Sequence, residues 1–167
     1  IIVVVILISF ATCNGCGGAN GTYIEPTTET TIEVAIPSDY DETRLPKIYS
    51  IEIGNENYDG DRITDYGEKI YSSETMYLAP KIRYKSYADR SYTFDVKWIK
   101  PDGSIRRGDS SPAGYSQSKS YYLSYGEGNK VLRGWGNDTK GNWKAGNYAI
   151  EIWCEGTLLK RKEFTIY

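Results

Sequence analysis

Apolar residues recur at every second position in several short runs, a period of two that predicts strands rather than helices. The clearest run lies near the end of the chain. Tyr148, Ile150, Ile152 and Cys154 share one phase, and Ala149, Glu151, Trp153 and Glu155 share the other. Glu155-Gly156 then predicts a two-residue hairpin turn, with glycine accepting the positive φ that such turns need. Leu158, Phe164 and Ile166 are expected to continue the apolar face on the return strand. Lys160, Arg161, Lys162 and Glu163 interrupt that face with charge, as in an edge strand guarded against mispairing.

Earlier segments follow the same rule. Tyr49, Ile51 and Ile53 alternate with Ser50 and Glu52. Met76, Leu78, Pro80, Ile82 and Tyr84 oppose Lys81, Arg83 and Lys85. Tyr92, Phe94, Val96 and Trp98 oppose Thr93, Asp95 and Lys97. Pro101-Asp102-Gly103 predicts a turn. Residues 120–125 and 130–133 are weaker strand candidates, and Ile32, Val34 and Ile36 place a possible first strand ahead of Pro37. No stretch carries an apolar period of 3.6. Short strands with turn residues between them predict an all-β, two-sheet antiparallel sandwich over residues 46–167.

The first ten residues, IIVVVILISF, are an unbroken apolar run. It falls short of the roughly 20 residues a spanning helix needs and fits the apolar core of a secretory signal. Ala11-Thr12-Cys13-Asn14-Gly15-Cys16 follows. An apolar run, small residues and then cysteine resembles the lipobox of bacterial lipoproteins, in which the cysteine carries the lipid. Cys13 and Cys16 are both candidates, and distance from the apolar run favours Cys13. The resemblance implies a chain lipid-anchored to a bacterial membrane, at the outer membrane or the periplasmic face, or secreted if it is not lipidated. Residues 1–16 are thus expected to be a signal and lipobox region. Residues 17–45, polar and rich in Thr, Glu and Asp, read as a flexible tether. A zinc site is a poor alternative, since the chain has three Cys and no His.

Composition narrows function. Lys and Arg total 20 against 22 Asp and Glu, so no basic face points to nucleic acid. The lack of His rules out a Ser-His-Asp or Cys-His arrangement. No catalytic residue, cofactor or metal ligand set is therefore expected, and the chain is read as not an enzyme. Residues 55–68 gather Asp59, Asp61, Asp65 and Glu68, but their spacing misses the EF-hand loop, and a solvated acidic loop is expected. Arg107-Gly108-Asp109 reads as an ordinary loop.

The later half carries a second resemblance. Lys100-Pro101-Asp102-Gly103, Gly134-Trp135-Gly136-Asn137, Trp143-Lys144-Ala145-Gly146-Asn147-Tyr148, Glu151-Ile152-Trp153 and Phe164-Thr165-Ile166-Tyr167 resemble an Ig-like β-sandwich module of the kind that recurs in bacterial envelope proteins. That resemblance implies recognition or structural support, without a cofactor. Sixteen Tyr and four Trp suggest where a partner would bind. Tyr115, Tyr122, Trp135, Trp143 and Trp153 are the candidate ligand-binding residues. Tyr121 and Tyr122, being neighbours, should point to opposite faces. Alternatives to plain recognition are a carbohydrate-binding module using exposed Tyr and Trp, and a protease-inhibitor-like sandwich offering residues 109–118. The partner is expected to be a protein or a glycan.

Overall fold

The computed structural model of the protein describes residues 36–56, 63–65, 69–137 and 139–167. The signal and lipobox region, residues 31–35 of the possible first strand, and the side chains of Asp59, Asp61, Asp65 and Glu68 lie outside the described residues. The alternating runs form β1 (Lys47–Glu56), β2 (Ile63–Asp65), β3 (Tyr77–Ser86), β4 (Arg90–Ile99), β5 (Gln117–Leu123), β6 (Gly126–Val131), β7 (Trp135–Gly136), β8 (Gly146–Cys154) and β9 (Thr157–Ile166). One sheet runs β2-β1-β3-β6, with β7 also pairing β3, and the other runs β5-β4-β8-β9. Every strand pair within the two sheets is antiparallel. Taking β1, β3 and β6 as A, B and E, and β5, β4, β8 and β9 as C′, C, F and G, this is the strand order of an immunoglobulin sandwich. The fold is all-β and Ig-like.

Side-chain phase explains the core. Tyr92, Phe94, Val96 and Trp98 of β4 are all buried, as are Tyr148, Ile150, Ile152 and Cys154 of β8 and Leu78, Ile82 and Tyr84 of β3. Trp98 sits at the centre, edge-on to Trp143 at 5.3 Å and to Phe164 at 6.0 Å between ring centres. Tyr148 stacks on Phe164 at 5.7 Å and meets Trp143 at 5.3 Å. Edge-to-face and offset pairs at these spacings favour the ring quadrupoles and add to the burial itself.

Two bulges correct the expected phases. In β1 the register shifts between Ile48 and Ser50. Tyr49 is the extra residue, so Ile48 turns inward with Ile51, and Tyr49 meets Lys47 and Arg83, whose charges lie 5.2 and 5.6 Å from its ring. In the last hairpin the register shifts between Ile152 and Trp153. Leu158 therefore pairs with Trp153 on the outer side and is 42% exposed, while Leu159 packs against the core in its place. The turn between them has positive φ at both Glu155 and Gly156, as a two-residue hairpin of this hand requires.

Pro80 marks another break. Its carbonyl accepts from Leu132 N at 2.9 Å, but proline has no N–H to return. The strand opposite is correspondingly interrupted between β6 and β7. β9 is one edge of its sheet, and Ile70 bridges Ile166 at its end. Lys160 and Lys162 lie opposite Ile152 and Ile150, in the inward phase, and Lys162 Nζ reaches across to donate to the Ile51 carbonyl at 2.8 Å. Inward-pointing charge of this kind is a recognised device against edge-to-edge pairing.

The compact unit spans Asp39–Tyr167 and takes in the last residues of the stretch read as tether. Residues 39–44 form a strap across one pole of the sandwich. Asp39 pairs with Lys85 at 2.8 Å and accepts from the Tyr125 hydroxyl. Asp41 N donates to Tyr87 O at 2.7 Å, and the Arg44 guanidinium lies 3.6 Å over the Tyr87 ring. Arg90 donates to the Glu42 carbonyl and pairs with Glu155 at 2.7 Å. Tyr125 N donates to Asp89 at 2.9 Å. The strap thereby joins the β3–β4, β5–β6 and β8–β9 turns.

Candidate binding face

The outer side of the β5-β4-β8-β9 sheet is built by register. Trp153 lies opposite Asp95, and Glu151 lies opposite Lys97. β9 adds Arg161 beside Glu151 and Leu158 beside Trp153. Directly opposed residues of antiparallel strands share a face. Tyr115, in the loop ahead of β5, completes the group. Its ring meets the Trp153 ring edge-on at 6.4 Å. Lys97 Nζ rests 4.3 Å from the centre of the Trp153 ring and 5.0 Å from that of Tyr115. A cation over half-buried aromatic rings at a protein surface is worth only about 0.5–1 kcal/mol, so Lys97 is held loosely.

Glu151 explains why the outer phase of β8 is not uniformly wet. It is 9% exposed, and its carboxylate accepts from Arg161 at 2.7 Å and from Trp153 Nε1 at 2.9 Å. A carboxylate this covered needs both partners. These bonds also fix the orientation of the indole. Arg161 bridges on to Glu163 at 3.3 Å, and the two carboxylates raise the affinity of its guanidinium for its proton. Asp95 and Lys97 differ from this network. Among the described residues neither is paired with a group of opposite charge.

Of the residues singled out from sequence, the fold brings together Tyr115 and Trp153. Tyr122 does point outward, at 56% exposure, while Tyr121 packs against Phe94 with ring centres 6.1 Å apart. Tyr122 is opposite Ser91, four positions along β5 from Ser118 and so roughly 13 Å from the Trp153 row. Trp135 belongs to the other sheet, where it pairs with Leu78 and packs half-buried against the core. A Cβ at Gly108 would lie 3.6 Å from its ring, which places the Arg107-Gly108-Asp109 loop over Trp135. Trp143 is fully buried and does not present a ring to solvent. Arg106 lies 4.1 Å over its outer side, and burial lowers the guanidinium's hold on its proton. Cys13 and Cys16 lie outside the described residues.

Asp95 and Lys97 were not singled out from sequence. Their signal was there in the phase of β4, opposite Tyr92, Phe94, Val96 and Trp98, but nothing local ties them to Trp153, more than fifty positions away. Among the described residues no three His, Cys, Asp or Glu side chains group as a metal site, and no helix is long and apolar enough to cross a membrane. The carboxyls whose titration is displaced, Asp39, Asp41, Asp102 and Glu127, are all pushed down by hydrogen bonds to their ionised forms.

No known protein family matches the sequence, and no curated protein matches it. Among solved structures, an immunoglobulin-like protein from Pseudomonas aeruginosa is similar at 13% identity and a TM-score of 0.39, over 76% of this chain and 100% of that one. A Bifidobacterium adolescentis GH3 beta-glucosidase is similar at 10% identity and a TM-score of 0.38, over 73% of this chain but 17% of the glucosidase. The chain thus spans about a sixth of that enzyme. The Ig-like assignment rests on strand order and pairing.

Proposed function

We propose that the chain is a non-catalytic recognition module of a bacterial cell envelope, lipid-anchored through Cys13 or Cys16, with Tyr115, Lys97 and Trp153 meeting its partner. The observation that carries the reading is the outer sheet face itself. Two aromatic rings lie together there under a cation that no carboxylate holds. Aromatic side chains with polar handles supply contact area at low entropic cost, which suits a recognition surface.

The face is tested by co-sedimentation of the full chain, expressed without lipidation, with isolated bacterial envelopes. The wild type should sediment with them, and Trp153→Ala should remain largely in the supernatant. Equal sedimentation of both, or of neither, would sink the reading. The anchor is tested separately by metabolic labelling with an alkyne fatty acid. Label should be lost in Cys13→Ser if the favoured position is correct, or in Cys16→Ser if the alternative is. Absence of label from the wild type would remove the lipid anchor.

A further inference from the structure

We infer that the Tyr115–Trp153 face takes a neutral saccharide, and this inference rests on the recognition reading above. Three observations converge. Trp153 is held against the sheet by its bond to Glu151, which uses the indole N–H, and its half-buried ring lies on the outer face under Lys97. Asp95 stands directly opposite Trp153 on the neighbouring strand. Lys97 is two positions further along β4, with its ammonium over both rings. The ring offers an apolar plane of the size of a sugar's C–H face. Beside it stand one carboxylate, which only accepts hydrogen bonds, and one ammonium, which only donates them.

Charge decides the ligand class. Asp95 and Lys97 are the two groups of the face without an opposite charge bound to them, and their charges cancel. The remaining charges, Glu151, Arg161 and Glu163, are already joined to one another. An acidic ligand would gain Lys97 but meet Asp95, and a basic ligand would meet the reverse. A polyol suits both, because each hydroxyl donates and accepts. Leu158, exposed beside Trp153, extends the apolar strip along the strand pair and gives a second sugar unit something to rest on. Binding asks Lys97 to lift from the rings and turn to a hydroxyl, which its flexible stem permits.

The test is affinity electrophoresis of the full chain in native gels containing soluble neutral polysaccharides (a β-glucan, a mannan and a xylan), with hyaluronate as the acidic control. At least one neutral polymer should retard the wild type. Trp153→Ala should migrate as if the polymer were absent, and Asp95→Asn should weaken retardation about tenfold. Thermal melts of both variants serve as the check that they are folded. Retardation by hyaluronate alone, by none of the neutral polymers, or equally for wild type and a folded Trp153→Ala overturns the inference. Periodate oxidation of the envelopes used for co-sedimentation separates the two readings. Loss of sedimentation supports a saccharide. Sedimentation that survives oxidation, still depends on Trp153 and is not competed by any of the three neutral polymers overturns the saccharide and leaves recognition standing.

Discussion

Asp39 and Lys85, 46 positions apart, meet at 2.8 Å and fasten the strap to the end of β3. The Tyr125 hydroxyl donates to the same carboxylate. Lys85 and Tyr125 hold the Asp39 carboxyl below its ordinary value of 3.8, and Asp39 raises the values of both partners. A depressed carboxyl contributes stability above its unfolded value and loses it as pH falls through the folded one. The raised Lys85 and Tyr125 contribute below their unfolded values, 10.5 and 10.0, and lose this as pH rises through the folded ones. The Asp39 contacts should therefore contribute fully from about pH 4 to about pH 10 and weaken at either extreme, loosening the strap there. Hydrogen exchange at the Asp41 amide, which donates to Tyr87, reports this. Exchange that is already fast at pH 7 contradicts the closed strap.

Gly136 should tolerate no side chain. A Cβ there would fall 1.9 Å from the backbone oxygen of Met76, and backbone cannot yield as a side-chain tip can. Gly136→Ala is expected to cost about 3 kcal/mol, the upper end of ordinary overpacking. Urea denaturation measures it, and a loss below about 1 kcal/mol would mean that β7 can leave β3 freely.

The aromatic residues should divide sharply. Trp98→Ala empties the centre of the core and should cost about 3–5 kcal/mol. Trp153→Ala removes a half-buried ring from the outer face and one of the two partners of the covered Glu151 carboxylate, and should cost about 2 kcal/mol. Chemical denaturation of both variants side by side is the measurement. Equal losses would show that Trp153 is as structural as Trp98.

Cys154 is fully buried, and burial pushes its thiol up from 9.0 to about 11. In the folded protein it should resist N-ethylmaleimide at pH 8 and react on unfolding, as site-resolved mass spectrometry can follow. Stability should fall as pH rises from about 9, because the unfolded thiol ionises there while the folded one stays protonated up to about 11. Rapid labelling under native conditions would contradict the burial.

Much of the sandwich was legible because its evidence is local. Tyr92 to Trp98 and Tyr148 to Cys154 each declare their phase within one strand, and both proved buried in that phase. The departures depend on partners far away in sequence. Nothing near Tyr49 announces a bulge, since the shift is a matter of pairing with β3. Leu158 left the core for the same kind of reason. Glu151 could be covered because Arg161 stands across from it. The binding face was half legible. Tyr115 and Trp153 were visible as aromatics, but their meeting, and the place of Asp95 and Lys97 beside them, is a product of sheet register. Trp143 shows the limit from the other side. It stood among the candidate ligand-binding residues, whereas Trp98 and Tyr148 enclose it.

The strap also has a mechanical consequence. Tension along the chain ahead of Asp39 would reach the strap before it reached β1. The load would fall first on the two contacts of Asp39, to Lys85 and Tyr125, then on the Asp41 amide at the Tyr87 carbonyl, then on Arg90 at Glu42. Contacts strung along a pulled segment yield in that order. A module dragged by its leading segment would thus spend the strap, contact by contact, before any force reached the first ladder of β1.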